Sequence, residues 1–314
     1  MIRVSNNSIT DGLIYQINKV AANEQTLESE ATTGLAVQNP SDNPSAMQSI
    51  LNLENESSAV TQYQSNITGL QQQTTTASSA MQSLQTIVSQ ASTIATEADG
   101  TATQSDLDNY ATEVTQLIQE AAQAVNTQFE GNYLFGGTLN SDPPYVVSQN
   151  SSGQVTSVTY QGNTSVPSVE IAAGVTLAAL PVGANTSGSG ADGLITDSRS
   201  GADLFNHLIS LQNNLLSGNT SAINGTDLTN LQTDSDNITQ AIATDGALQQ
   251  RMTAEANIAA SQSASLSDLT SSKADADLAQ VMSQLTQTQT AYQAAVQATA
   301  GFQDLTLSIL NYLE

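Results

Sequence analysis

Between Val60 and Ala98 the chain places Val60, Tyr63, Ile67, Leu70, Thr74, Ala77, Met81, Leu84, Val88, Ala91, Ala95 and Ala98 at spacings that alternate between three and four residues without a slip. An uninterrupted seven-residue repeat selects an α-helix packed in left-handed coiled-coil geometry. A strand would scatter the same side chains over both faces. Met47, Ile50 and Leu51 carry the stripe upstream, so about 50 helical residues at ~1.5 Å each predict a rod of about 75 Å. Gly69 costs it about 1 kcal/mol, and Asp99-Gly100 ends it. The flanks carry Gln, Ser and Thr rather than Glu and Lys, so salt bridges do not set the register.

The same periodicity recurs toward both ends. Leu13, Ile17, Val20, Leu27 and Ala31 step by three or four, with Glu24 in the remaining core position, until Thr33-Gly34, a helix stop. Asn39-Pro40-Ser41-Asp42-Asn43-Pro44 cannot lie inside a helix; it reads as a turn with a capping residue and Pro in the first turn of the next helix. Ser105 or Asp106 caps a third helix with stripe Leu107, Tyr110, Val114, Leu117 or Ile118, Ala121, Val125 and Phe129, ending at Gly131. A short loop between two long amphipathic helices predicts an antiparallel pair. After residue 198 helix returns: Asp203 caps Leu204, Phe205, Leu208, Leu211 and Leu215, and after breaks at Gly218 and Gly225 come Leu228, Leu231, Ile238, Ile242, Leu248, Met252 and Ile258. Leu278, Val281, Leu285, Tyr292, Ala295, Phe302 and Ile309 repeat in heptad spacing to the end.

Composition changes between residues 138 and 198. Pro143-Pro144, Gly153, Gly162, Pro167 and Pro181-Val182-Gly183 punctuate short β-branched runs at 145–147, 155–160 and 166–171, which read as strands. Ser187-Gly188-Ser189-Gly190 reads as a flexible linker. The expected fold is mainly α: a long coiled-coil-like helical bundle built from both chain halves, with a small β-rich inserted domain. The expected organisation is an N-terminal helix and loop over 1–45, a long helical hairpin over 46–137, the β-rich insertion over 138–198, returning helices over 199–265 and a C-terminal helix over 266–314. Bounded by Gly and Pro, and interrupting a helical body whose stripes run on either side, the insertion is expected to be dispensable for assembly.

Composition restricts function. Lys and Arg number only 5 against 29 acids, a net charge of -24. Nucleic-acid binding needs clustered bases to neutralise phosphate, and anionic membranes need the same. The chain has no cysteine, which removes disulfides and thiolate metal sites. No apolar stretch reaches the ~20 residues of a membrane span, and the N-terminus lacks the pattern of a signal peptide. His207 is the sole histidine and sits among Leu204, Phe205, Leu208 and Leu211, a structural setting. Gly136-Gly137 lacks the spacing of a nucleotide fingerprint. Asp275 and Asp277, two apart on a helix, do not face each other, and capping or solvation is their expected role. No catalytic residue, cofactor or metal site is expected, and the chain does not read as an enzyme.

Four stretches resemble the flagellin superfamily. Thr33-Gly34 to Val37 with Asn39-Pro40-Ser41-Asp42-Asn43-Pro44-Ser45-Ala46 is similar to the segment after its first terminal helix. Gly131-Asn132-Tyr133-Leu134-Phe135-Gly136-Gly137-Thr138 resembles the end of its helical hairpin, and Gly246 to Arg251 the opening of its return helix. Asp277-Leu278-Ala279, Gln284-Leu285-Thr286, Tyr292-Gln293-Ala294-Ala295 and Leu310-Asn311-Tyr312-Leu313 resemble its C-terminal helix. The last residues, the small insertion and the run from Tyr160 to Val175 favour the hook-filament junction branch. Leu35-Ala36 stands where relatives carry a basic residue. The resemblance implies a structural adaptor at the hook-filament junction, exported unfolded without a cleaved signal peptide. Its implied partners are neighbouring copies of itself, a hook-side hook-associated protein, flagellin and an export chaperone. Leu13, Ile17, Val20, Leu27, Leu278, Leu285, Tyr292, Phe302 and Leu313 are the expected assembly-interface residues. Flagellin itself is the nearest alternative; a coiled-coil surface adhesin is the alternative of another class.

Overall fold

The computed structural model describes residues 2–178 and 180–313, apart from the side chains of 2–10, 303, 306, 307 and 309–313. Helices α1 (Ile2–Thr33), α2 (Pro44–Glu97) and α3 (Gln104–Val125) come first. Short strands follow: β1 (Gln128–Phe129), β2 (Asn132–Tyr133), β3 (Tyr145–Gln149), β4 (Val155–Tyr160), β5 (Val169–Ala172), β6 (Val175–Leu177), β7 (Val182–Asn185), β8 (Gly193–Asp197) and β9 (Ala202–Asp203). Helix then resumes with α4 (Leu204–Ser217), α5 (Thr220–Ala222), a π turn (Ile223–Asp227), α6 (Leu228–Ala274) and α7 (Leu278–Leu313). The chain divides into two compact units, one made of residues 1–59 and 262–314, the other of 60–261.

The 60–261 unit holds the main core. Along α2 and at Ala98 just past its end, every residue of the heptad stripe from Val60 is buried, except Tyr63, which is half-buried. Ala80, Ile87 and Ile94, seven apart, are buried too. They widen the face beyond a two-helix seam to the stripe of a bundle helix. On α4, Leu204, Leu208, Leu211 and Leu215 are fully enclosed, in one core with Leu84 and Val114.

Helix ends depart from expectation for local reasons. The cap of α3 is Thr103 rather than Ser105 or Asp106: its hydroxyl accepts from the Asp106 backbone, while the Asp106 carboxylate accepts from the Thr103 backbone at 3.1 Å. This reciprocal box satisfies two otherwise orphaned donors. The helix stops at Val125, short of Gly131, because the chain folds back as the β1–β2 hairpin. Glu130 and Gly131 both take positive φ there (50° and 82°), as a two-residue hairpin turn requires. Asp203 precedes α4 but makes no side-chain cap; its carboxylate accepts instead from Asn206 Nδ2 at 2.7 Å.

The β segment is more integrated than its Gly and Pro boundaries imply. β3–β4 and β5–β6 are antiparallel hairpins, while β7 pairs parallel with β8 and β8 antiparallel with β9. Pro181-Val182-Gly183, expected as a break, leads directly into β7. Tyr145, Val155, Leu194 and Ile195 belong to the same core as α2, α3 and α4, so removing residues 138–198 would open that core, against the expected dispensability. The Ser187–Gly190 run is a structured loop. Buried Asn185 accepts from the backbones of Ser187 (3.0 Å) and Gly188 (3.2 Å) and donates to the carbonyls of Ser189 (2.9 Å) and Ala191 (2.7 Å). One amide thus supplies the turn with the partners that water would supply to a linker.

Candidate functional site

The terminal helices meet in the unit of residues 1–59 and 262–314. Gly34 closes α1 with φ 75°, a left-handed helix stop that glycine adopts without Cβ strain. The chain then forms a short antiparallel bridge, Leu35 to Asp275. Ala36 N–H donates to the Ala274 carbonyl at 2.7 Å, and Ala276 N–H to the Gly34 carbonyl at 2.8 Å. The end of α1 is thereby tied to the start of α7, and the two helices pack antiparallel.

The loop between α1 and α2 is held by its own polar groups. Asp42 accepts from the backbones of Asn39 (2.8 Å) and Gln38 (3.1 Å), which hold its carboxyl below the usual range. Gln38 Nε2 donates to Thr33 Oγ1 at 2.7 Å. Asn43 Oδ1 accepts from Ala46 N–H at 3.1 Å and caps α2, with Pro44 in its first position. Asp277 does the same for α7, accepting from Ala279 (3.0 Å) and Gln280 (3.2 Å).

The structure brings most of the expected interface residues into one seam. Leu13, Ile17, Val20 and Leu27 lie along α1; Leu285, Tyr292 and Phe302 lie along α7 in heptad phase with Val281. Only Leu27 (6% exposed) and Val281 (5%) are buried; the other members just named are half-buried. Leu278 is 49% exposed, and the side chain of Leu313 lies outside the described residues. Next to the seam runs a row that the heptad reading missed. Ile14, Met282 and Val296 each follow a core position by one residue and are 45%, 54% and 43% exposed. An apolar side chain directly after a seam position was the signal for a second face. Leu51 and Leu269, each 50% exposed, add to the open apolar surface of this unit. Among the described residues no ion pair forms in it.

Chemistry-bearing groups elsewhere are structural. His207 Nδ1 lies 2.8 Å from Asp234 Oδ2. Asp227 accepts from Ser210 (2.8 Å) and Asn214 (2.6 Å), and Asp245 from Gln249 at 2.7 Å. All three carboxylates are buried; Asp234 and Asp245 sit at core positions of α6 in heptad phase with Leu231, Ile238 and Met252, and Asp227 ends the π turn before it. Burial pushes the Asp245 carboxyl up. Among the described residues no cluster of three or more His, Cys, Asp or Glu could hold a metal ion. No described helix is long and apolar enough to cross a membrane.

Residues 4–140 match the bacterial flagellin N-terminal helical region. No curated protein matches the chain. Among solved structures, one from Vibrio parahaemolyticus, described as a flagellar hook-associated protein, superposes with a TM-score of 0.63 at 24% identity, covering 74% of this chain and 100% of its own. FlgL of Xanthomonas campestris gives 0.56 at 16%, covering 70% and 99%. FlgL of Bacillus cereus gives 0.54 at 17%, with the same coverages, 70% and 99%. At these identities the likeness establishes a shared fold.

Proposed function

We propose that this chain, with a flagellin N-terminal helical region on a fold shared with flagellar hook-associated proteins, is a structural subunit of the bacterial flagellum, the adaptor at the hook-filament junction. Its work is packing rather than turnover. Its partners are further copies of itself, a hook-side hook-associated protein below, flagellin above and an export chaperone beforehand. Its place is outside the cell, in the flagellum.

One observation carries this reading: the paired terminal helices keep an apolar surface that their own chain leaves half-covered. Covering a large apolar side chain stabilises by about 1.5–3 kcal/mol, so neighbouring subunits have much to gain by packing there. Leu13, Ile17, Val20, Leu27, Leu278, Leu285, Tyr292, Phe302 and Leu313 are the proposed contacts, joined by the exposed row of Ile14, Met282 and Val296. The low charge content of the whole chain, 11% Asp, Glu, Lys and Arg, suits an interface built on burial.

The test is a deletion strain of the source bacterium, viewed by electron microscopy and complemented with wild-type protein or with Leu285→Asp/Phe302→Asp. Hooks without filaments are expected in the deletion and in the double variant, with filaments restored only by wild type. Normal filaments in the deletion strain would overturn the assignment. Normal filaments with the double variant would remove the C-terminal helix from the interface.

A further inference from the structure

The sole histidine is built into a buried charge pair. His207 lies on α4 and is 16% exposed in its side chain, while its partner Asp234, on α6, is 0% exposed. The second oxygen of Asp234 accepts from the Asp203 backbone N–H at 2.9 Å, where β9 passes into α4. One carboxylate therefore ties the start of α4 and its histidine to α6. From the geometry we infer that His207 and Asp234 form a proton-operated latch, holding α4 on α6 while one proton is shared between them and weakening when it leaves.

The argument turns on the supply of counter-charge. Burying a carboxylate is costly unless a cation, a proton or hydrogen-bond donors satisfy it. Among the described residues the other ion pairs are those of Arg199, with Asp192 and Asp197, so Asp234 has only His207. The elements around α4 offer no substitute. α4 itself carries no other ionisable residue, and α5 carries none. The π turn adds Asp227, already bonded to Ser210 and Asn214. β8 adds Asp197, neutralised by Arg199. β4 adds Tyr160, whose hydroxyl donates to the Phe135 carbonyl at 3.0 Å. α3 brings Asp106, Asp108, Glu113, Glu120 and Tyr110, all acids. The charges that act on His207 are those of Asp234, Asp203 and Asp227, all negative, so each favours the protonated ring.

Burial alone lowers the affinity of His207 for a proton, but the hydrogen bond and charge of Asp234, with Asp203 and Asp227 behind it, outweigh burial and raise it. Burial likewise raises the Asp234 carboxyl. The two titrate as a pair, and the folded state holds a proton on it to higher pH than the unfolded chain does. A raised folded value gives stability that is complete below the ordinary imidazole range near 6.5 and is lost as pH rises through the folded value.

With one histidine the titration is clean. Imidazole nitrogen and carbon shifts of the full chain are followed from pH 5 to 10 by NMR, beside urea unfolding over the same range. The expected midpoint lies above ~6.5, and each unit of difference lowers the folding equilibrium constant about tenfold across that window. His207→Gln and Asp234→Asn are expected to flatten the alkaline loss of stability. A wild-type midpoint at or below ~6.5 overturns the latch whether or not the variants fold. So would an undiminished alkaline loss in a folded His207→Gln protein.

Discussion

At the scale of single residues, the chain spends one of its few cations on a loop. Arg199 donates through Nε to Asp197 Oδ1 at 2.9 Å and reaches Asp192 at 2.8 Å, while Gly193 N–H donates to Asp197 Oδ2 at 2.8 Å. The hydrogen bond from Arg199, against the cost of burial and with the backbone donors of Gly193 and Arg199, holds the Asp197 carboxyl at about 2. A depressed value stabilises the fold above the ordinary carboxylate range near 3.9, and that contribution is lost as pH falls toward the folded value. Arg199 is itself 37% exposed, so solvent screens much of the charge term. Arg199→Ala is expected to cost about 1 kcal/mol at neutral pH and to flatten the acid limb between about pH 4 and 2. Urea unfolding at several pH values measures both. Equal stability of the two proteins at pH 7 would mean that the Asn185 loop holds without its clamp.

At the scale of elements, Leu84 on α2 and Leu285 on α7 both lie on the apolar heptad stripe of their helix, yet Leu84 is 0% exposed and Leu285 half-buried. Leu84→Ala is expected to cost ~2–5 kcal/mol in the isolated chain through transfer and cavity terms. Leu285→Ala is expected to cost roughly 1 kcal/mol or less, since less apolar area leaves contact. Denaturant midpoints decide between them, and similar losses would show that the terminal seam is already a closed core. The contrast marks what was legible beforehand. A repeat of three and four is local, so the helices from Val60 to Ala98 and at both ends could be read residue by residue. β7 pairs with β8 across the Asn185 loop, and no local pattern announces a four-residue parallel strand beginning just after a proline. Degree of burial was equally hidden, because a heptad names the face of a helix and not what covers it. The His207 environment was read as structural, but Asp234 went unseen because the stripe of α6 was read from its apolar residues alone.

At the scale of the whole molecule, the two units differ in how much they bury. The 60–261 unit encloses Leu84, Ile118, Phe135, Leu194, Leu208 and many others at 1% exposure or less. In the other unit, among the described residues, the buried hydrophobics are Leu27, Ile50, Leu266, Ala274 and Val281. Both are helical, and α2 and α6 contribute to both, so backbone hydrogen bonding does not separate them. Helices without tertiary burial are marginal in water, and segments with few buried apolar contacts open at free energies far below that of global unfolding. Hydrogen exchange of the isolated chain is therefore expected to show the slowest amides in α3, α4 and the Val60–Glu97 part of α2. Amides of α1 and α7 should exchange at least tenfold faster. Proteases should cut first within 1–59 and 262–314 and leave a core close to 60–261. When the chain is assembled, α1 and α7 should gain protection while α3 and α4 change little, because the apolar area newly covered lies on the terminal helices. Uniform protection in the isolated chain would mean that the terminal seam is complete without neighbours, and the argument for subunit packing from its open apolar faces would fail.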